Sequence, residues 1–152
     1  MGQRMLELLF TSSYMAQQTI YPLIAFLLVR ESLEHGANAS TVDGLTSFGA
    51  ILCGAFGRLL RGREMAKAVA LLLENPVNRR MESRACFLVQ GAILHWTTPL
   101  QGTLTPLLSG YQAGLEIGEW LAALVHLGAL FRVALLLTTI TQVTSRVPDI
   151  AS

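Results

Sequence analysis

The tetrapeptide Gly49-Ala-Ile-Leu52 returns as Gly91-Ala-Ile-Leu94 and again as Gly128-Ala-Leu-Phe131, after 42 and then 37 residues. Repetition at such a period restricts a fold severely, because each unit must bury its apolar face against the next copy. Ahead of the first and third copies stand Leu33-Glu34-His35-Gly36 and Leu115-Glu116-Ile117-Gly118. Both read as the end of a helix, with glycine in the position that follows a helix C-terminus. The unit is then two helices in about 40 residues, somewhat longer than the tetratricopeptide period of about 34. The chain reads as tetratricopeptide-like, with irregular repeats.

The rest of the sequence is consistent with an all-α class, since no segment shows strand alternation bounded by turn residues. One helix is expected from Ile20 to His35, closed by Gly36. Ser40-Thr-Val-Asp43 resembles a capping box and would open a second helix through about Phe56. A third runs from about Arg63 to Glu74, where Asn75-Pro76 stops it, because proline disfavours the α conformation in the residue before it. A fourth covers Arg80 to Trp96, with Thr97-Thr98-Pro99 as the following cap, and a fifth extends to about Ile117. The last begins at Glu119. Its β-branched, polar, proline-broken end, TTITQVTSRVPDIAS, is expected to fray. These elements divide the chain into a repeat segment, 1–132, and a poorly matched tail, 133–152.

Composition narrows the function. The chain is 52% hydrophobic and 14% charged, against about 25% charged in ordinary soluble domains. Exposed apolar surface at the ends of the stack, and self-association through it, are therefore expected. The net charge of +1 supplies no basic stripe for phosphates, so nucleic acid is not an expected partner. Cys53 and Cys86 are single and far apart, which suits two buried thiols in a reducing cytoplasm rather than a metal site. The N-terminus, MGQRMLELLFTSS, lacks the pattern of a signal peptide. Leu8 to Val29 and Ala85 to Leu115 carry no charge. Both are interrupted by Thr, Ser, Gln and Pro, as in shorter helices joined by turns, so membrane insertion is disfavoured. A small multi-helix membrane protein remains the alternative of a different class.

The stretch Gly110-Tyr-Gln-Ala-Gly-Leu-Glu-Ile-Gly118 sharpens that choice. Glycines at i, i+4 and i+8 fall on one helix face. In a bilayer they would form a dimerisation seam. Glu116 between two of them and Glu119 just beyond oppose it, since a carboxylate deep in a bilayer costs at least about 2.5 kcal/mol. In a soluble repeat, Gly110 and Gly114 would mark the crossing of a helix pair and Gly118 its end. Interior glycines each cost about 1 kcal/mol relative to alanine, so close packing must offset them.

The run ILHWTTPLQGTLTPLLSGYQAGLEIGEWLAA, Ile93 to Ala123, resembles a motif of very large signalling proteins. Those proteins join a serine/threonine kinase, an AAA-type ATPase, a long helical repeat region, a GAF domain and a sensor histidine kinase. The similar positions are His95-Trp96, Thr103-Leu104, Pro106-Leu107-Leu108, Tyr111-Gln112, Gly114-Leu115-Glu116, Gly118 and Ala122-Ala123. Upstream, Tyr21-Pro-Leu-Ile24, Ser32-Leu33, Gly36 and Phe48-Gly-Ala-Ile-Leu-Cys-Gly54 follow in the same order, so the resemblance covers about residues 3 to 132. Glu119-Trp120 departs from it, and the chain beyond Phe131 does not match. The resemblance implies an irregular superhelix of antiparallel helix pairs, a scaffold between the ATPase and sensor modules.

No catalytic function is expected. The chain has no Walker loop, no His-Arg-Asp or Asp-Phe-Gly sequence, and a single lysine, Lys67. His35, His95 and His126 are isolated, Ser47 and Ser109 have no visible base, and neither a cofactor nor a metal is expected. Arg58, Arg61, Arg63, Arg79, Arg80 and Arg84 read as a solvated face among Glu64, Glu74 and Glu82. Trp96, Tyr111 and Trp120 are candidates for contacting a protein or peptide partner, because aromatic residues are frequent hot spots; the competing expectation is that all three lie in the core.

Overall fold

The computed structural model describes residues 12–13 and 19–146, with side chains through residue 142, and within them the protein is all helical. The amino-terminal segment read as lacking a signal peptide, and the Val147-Pro148 break of the tail, lie outside the described residues. Helix α1 spans Tyr21–His35 and ends on Gly36, whose φ of 90° is open to glycine at little cost. Helix α2 spans Ala39–Gly54 and α3 spans Leu59–Leu73. A 3₁₀ segment, Pro76–Met81, leads into α4, Glu82–Leu88. The chain continues from α4 as a π turn, Val89–Ile93, and a last 3₁₀ turn, Leu94–Trp96. A 3₁₀ segment, Leu100–Thr103, precedes α5, Leu104–Glu116, and α6 runs from Trp120 to Arg146.

The start of α2 differs from the sequence expectation. Its cap is Asn38, in an extended conformation, and the box closes with Thr41 rather than Asp43. Ser40 N–H donates to Asn38 Oδ1 at 2.9 Å, and Asn38 N–H donates to Thr41 Oγ1 at 2.9 Å. Starting the helix at Ala39 puts Asp43 inside it, and Asp43 is 0% exposed. The cap expected around Thr97-Thr98-Pro99 is also displaced. Pro99 precedes a 3₁₀ segment, and α5 begins after Thr103. In the tail, helix continues through Thr138–Arg146; Thr138 and Thr139 donate to the Leu135 carbonyl and Thr141 to that of Leu137. Those bonds occupy the hydroxyls that would otherwise compete with helix.

Helix α2 is the centre. It packs against α1 on one side and α3 on another, and against the π turn and α4 as well. The face of α3 turned toward it is Gly62, Ala66 and Val69, at the 4–3 spacing of a buried helix stripe. One core cluster joins Val42 of α2, Val69 of α3 and Met81 and Ala85 around the start of α4. A second joins Ile24 and Leu28 of α1 to Leu88, and a third joins Cys53, Ala66 and Ile93. Helices α5 and α6 form a hairpin that reaches the rest of the molecule through α4.

The crossings occur at glycines. A Cβ on Gly44 would stand 3.0 Å from Leu28 Cβ, and one on Gly49 would stand 2.7 Å from Ile93 Cδ1 and 3.1 Å from Met65 Cβ. On Gly62 it would overlap Cys53 Sγ. We expect Asn38→Ala to lower stability by about 1 kcal/mol, the usual worth of an N-cap. Urea unfolding followed by circular dichroism measures this, and an unchanged midpoint would remove Asn38 from the start of α2.

Candidate functional site

Two polar constellations lie in the interior, and both converge on the α4–α5–α6 junction. In the first, Arg84 of α4 links two carboxylates. Its Nη1 is 3.6 Å from Asp43 Oδ2 of α2, and its Nε is 3.4 Å from Glu119 Oε2, in the turn before α6. Arg84 is 28% exposed by side chain, against 1% for Asp43. The arginine expected on a solvated face is therefore turned inward, whereas Arg58, Arg61, Arg63, Arg79 and Arg80 are exposed. Asp43 is the lone charge on α2, and removing its countercharge would leave a carboxylate in the core.

The second constellation surrounds Gly110. A Cβ there would overlap His126 Nε2 and stand 3.1 Å from Cys86 Sγ. Ser83 Oγ donates to the Gly110 carbonyl at 2.8 Å, and Cys86 donates to the Pro106 carbonyl at 3.1 Å. One turn on, a Cβ at Gly114 would meet Ser83 Oγ at 2.8 Å and the Ala123 nitrogen at 3.2 Å. Gly110 and Gly114 therefore lie where α5 meets both α4 and α6. Gly118, at φ 76°, lies in the turn between α5 and α6.

His126 is 0% exposed. Its Nδ1 lies 2.8 Å from the Ala122 carbonyl, which only accepts, so Nδ1 carries the hydrogen and Nε2 the lone pair. Nε2 has no hydrogen-bond partner among the described residues. Burial, partly opposed by the Ala122 carbonyl, holds the imidazole pKa below its ordinary value. Phe87 packs edge-on against the ring at 5.8 Å, and the Cys86 thiol faces the same glycine as Nε2. Burial, followed by the nearby Glu82 charge, pushes that thiol up to about 11. A neutral thiol is not an activated nucleophile, because the reactive form is the thiolate. Cys53, buried at the α2–α3 crossing, is likewise raised by desolvation.

The aromatic candidates stand on three separate elements. Trp96 ends the 3₁₀ turn after the π turn, is 53% exposed, and tilts against His95 with ring centroids 4.6 Å apart. Trp120 opens α6 at 67% exposure, and Tyr111 is half-buried on α5. Both tryptophans thus lie at the surface rather than in the core. Among the described residues, the ligand-type groups that approach one another are Glu31, Glu34 and His35 on α1. They are already engaged, Glu34 with Arg30 at 2.8 Å and Glu31 with His35 at 2.9 Å.

The family models, curated proteins and solved structures searched contain no match to this chain. Functional inference therefore rests on the residues themselves. Sequence reasoning missed the Asp43–Arg84–Glu119 link; its one visible trace was a single charge in an otherwise uncharged helix.

Two outcomes follow from the burial. Arg84→Met should cost about 3 kcal/mol, the scale for breaking a buried pair, and Asp43→Asn in the same chain should recover part of it. A urea double-mutant cycle showing no coupling would sink the link. For His126 the native pKa is depressed, so the unfolded chain takes up the proton first as pH falls. The neutral ring's contribution is complete above the ordinary histidine pKa and is lost as pH drops below it. The urea midpoint should fall between pH 8 and pH 5, and His126→Asn should flatten that slope.

Proposed function

We propose that the chain is a non-enzymatic helical-repeat segment, a tetratricopeptide-like superhelix that acts as a scaffold and interaction surface. In this proposal it occupies the place its sequence resembles, between the ATPase and sensor modules of a cytoplasmic multidomain signalling kinase. The observation that carries the proposal is the pairing order: neighbouring helices joined by short loops pack as α1 on α2, α2 on α3, and α5 on α6. Such pairs bury their faces against one another and leave the terminal helices in need of a cap.

The outer faces of α1 and α6 support it. Leu23, Phe26 and Leu33 of α1 and Leu124 and Phe131 of α6 are exposed on the sides turned away from their partners. Terminal repeats that stand alone carry polar outer faces; these faces suit flanking repeats or domains. Trp96 and Trp120 supply exposed aromatic area for a protein or peptide.

A membrane reading has one observation in its favour. Trp120–Gln142 is 23 residues long with mean hydropathy 2.0, and 17% of its apolar window is buried. Against it, Arg132 sits near the middle of that segment and costs about 2.5–3.5 kcal/mol at a bilayer centre. Expression without detergent distinguishes the two. A soluble, strongly helical protein whose tryptophan fluorescence is quenched by iodide is expected; recovery with membranes alone, and helicity restored by detergent, would replace the scaffold with the membrane protein.

A further inference from the structure

The three core clusters of this protein lie wholly within residues 21–94, and none includes a residue of α5 or α6. The α5–α6 hairpin is held by contacts of a different kind. Ser83 and Cys86 of α4 donate to the Gly110 and Pro106 carbonyls, Arg84 reaches Glu119 at 3.4 Å, and Gly114 brings the α5 backbone against Ser83 and Ala123. A seam of small residues and polar bonds buries little apolar area, and an element held in this way opens at lower cost than a packed core. The chain joins the hairpin to the bundle through residues 97–99, a stretch without helix in which Thr97 and Pro99 are exposed. The Leu100–Thr103 segment packs on α6 and belongs with the hairpin.

His126 stands in the middle of that seam. It is 0% exposed, its Nδ1 donates to the Ala122 carbonyl, Phe87 of α4 lies edge-on to the ring, and Nε2 stands against Gly110 of α5. A second proton would enter at Nε2, where no acceptor is placed among the described residues. The titratable groups on the surrounding elements are Glu82, Arg84 and Cys86 on α4, Tyr111 and Glu116 on α5, and Glu119 and Arg132 on either side of His126 in the chain; Leu100–Thr103 brings none. Cys86 faces the same glycine, but as a thiol donating to Pro106, and Glu119 is engaged with Arg84. Burial and the Ala122 carbonyl, with no charged group, set the titration of the ring. An imidazolium closed in the seam is therefore a buried charge without a counterion, whereas in an open hairpin water solvates it.

We infer that the α5–α6 hairpin is an acid-released arm: protonation of His126 at Nε2 swings α5 and α6 off α4 about residues 97–99, while α1 to α4 stay packed. The closed form is complete above the ordinary histidine pKa of about 6.5 and loses ground as pH falls below it, because the open form takes up the proton first. Release uncovers Ser83 and Cys86 on α4 and the Gly110–Gly114 face of α5. The inference does not depend on the signalling role proposed above.

Hydrogen exchange of the full chain at pH 7.5 and pH 5.5 tests it, read by mass spectrometry as protection factors, which remove the intrinsic pH dependence of exchange. Peptides from α5 and from Trp120–Phe131 should lose at least about threefold and at most about tenfold in protection at pH 5.5, the upper bound being that for one proton taken up at the ordinary histidine pKa. Peptides from α2 and α3 should keep theirs. The double variant His35→Asn/His95→Asn leaves His126 as the sole histidine, removes the imidazole nearest the hinge and does not touch the seam; it should show the same loss. His126→Asn should abolish the pH dependence, and Gly110→Ala, which sets a methyl group where Nε2 stands, should release the hairpin at pH 7.5 without a proton. Equal hairpin protection at both pH values, or a loss shared by α2 and α3, would overturn the inference. So would a loss that vanishes in the double variant or persists in His126→Asn, and so would full hairpin protection in Gly110→Ala.

Discussion

The helices of this protein touch where one of them has no side chain, and the rest of the architecture follows from that closeness. Helix α2 is surrounded because Gly44 admits α1, and Gly49, facing Gly62, admits α3 and the Ile93 side chain together. Each such glycine works against the helix that holds it by about 1 kcal/mol. The cost is offset because a close approach multiplies dispersion contacts along both helices.

Close approach also decides what the interior is made of. Between helices this near there is room for alanine, serine, threonine and cysteine, and these residues fill it: Ala25, Ala85 and Ala123 among the apolar ones, Ser40, Thr46, Ser47 and Ser83 among the polar. Three of the hydroxyls are returned to main-chain carbonyls, Thr46 to Val42 at 2.8 Å, Ser47 to Asp43 at 2.6 Å and Ser83 to Gly110 at 2.8 Å, while Ser40 donates to Asn38 Oδ1 at 2.7 Å. Leu28, Ile93 and Leu107 are buried beside them, whereas Leu23, Phe26, Leu60, Leu71 and Phe131 stand exposed. A hydrophobic composition of 52% therefore yields a small core and a greasy surface.

What a sequence reveals of such a fold depends on how local the cause is. Gly36, Gly118 and Asn75-Pro76 mark helix ends because backbone preference acts within one or two residues. The Asn38 cap was harder to read, since Asn38, Ser40 and Asp43 are all competent cap residues and the choice depends on which one the surrounding helices leave in extended conformation. Arg84 was read as a surface residue because nothing local distinguishes it from Arg79 or Arg80; its inward turn comes from Asp43 and Glu119, 41 and 35 residues away. Trp96 and Trp120 show the converse. The core was the competing expectation for both, but an interior spaced for glycine and alanine has little room for an indole.

The π turn between Val89 and Ile93 has a consequence for helix phase. There the Leu94 N–H reaches back to the Val89 carbonyl, one residue further than in an α-helix. The wider turn lets Leu88 join the α1 cluster while Ile93 enters the α2–α3 crossing. A turn of this kind absorbs one surplus residue without adding a helix or rotating everything downstream out of phase. Chain length and helix number are thereby uncoupled by one residue along this segment, and two separate cores are served by a single run of helix.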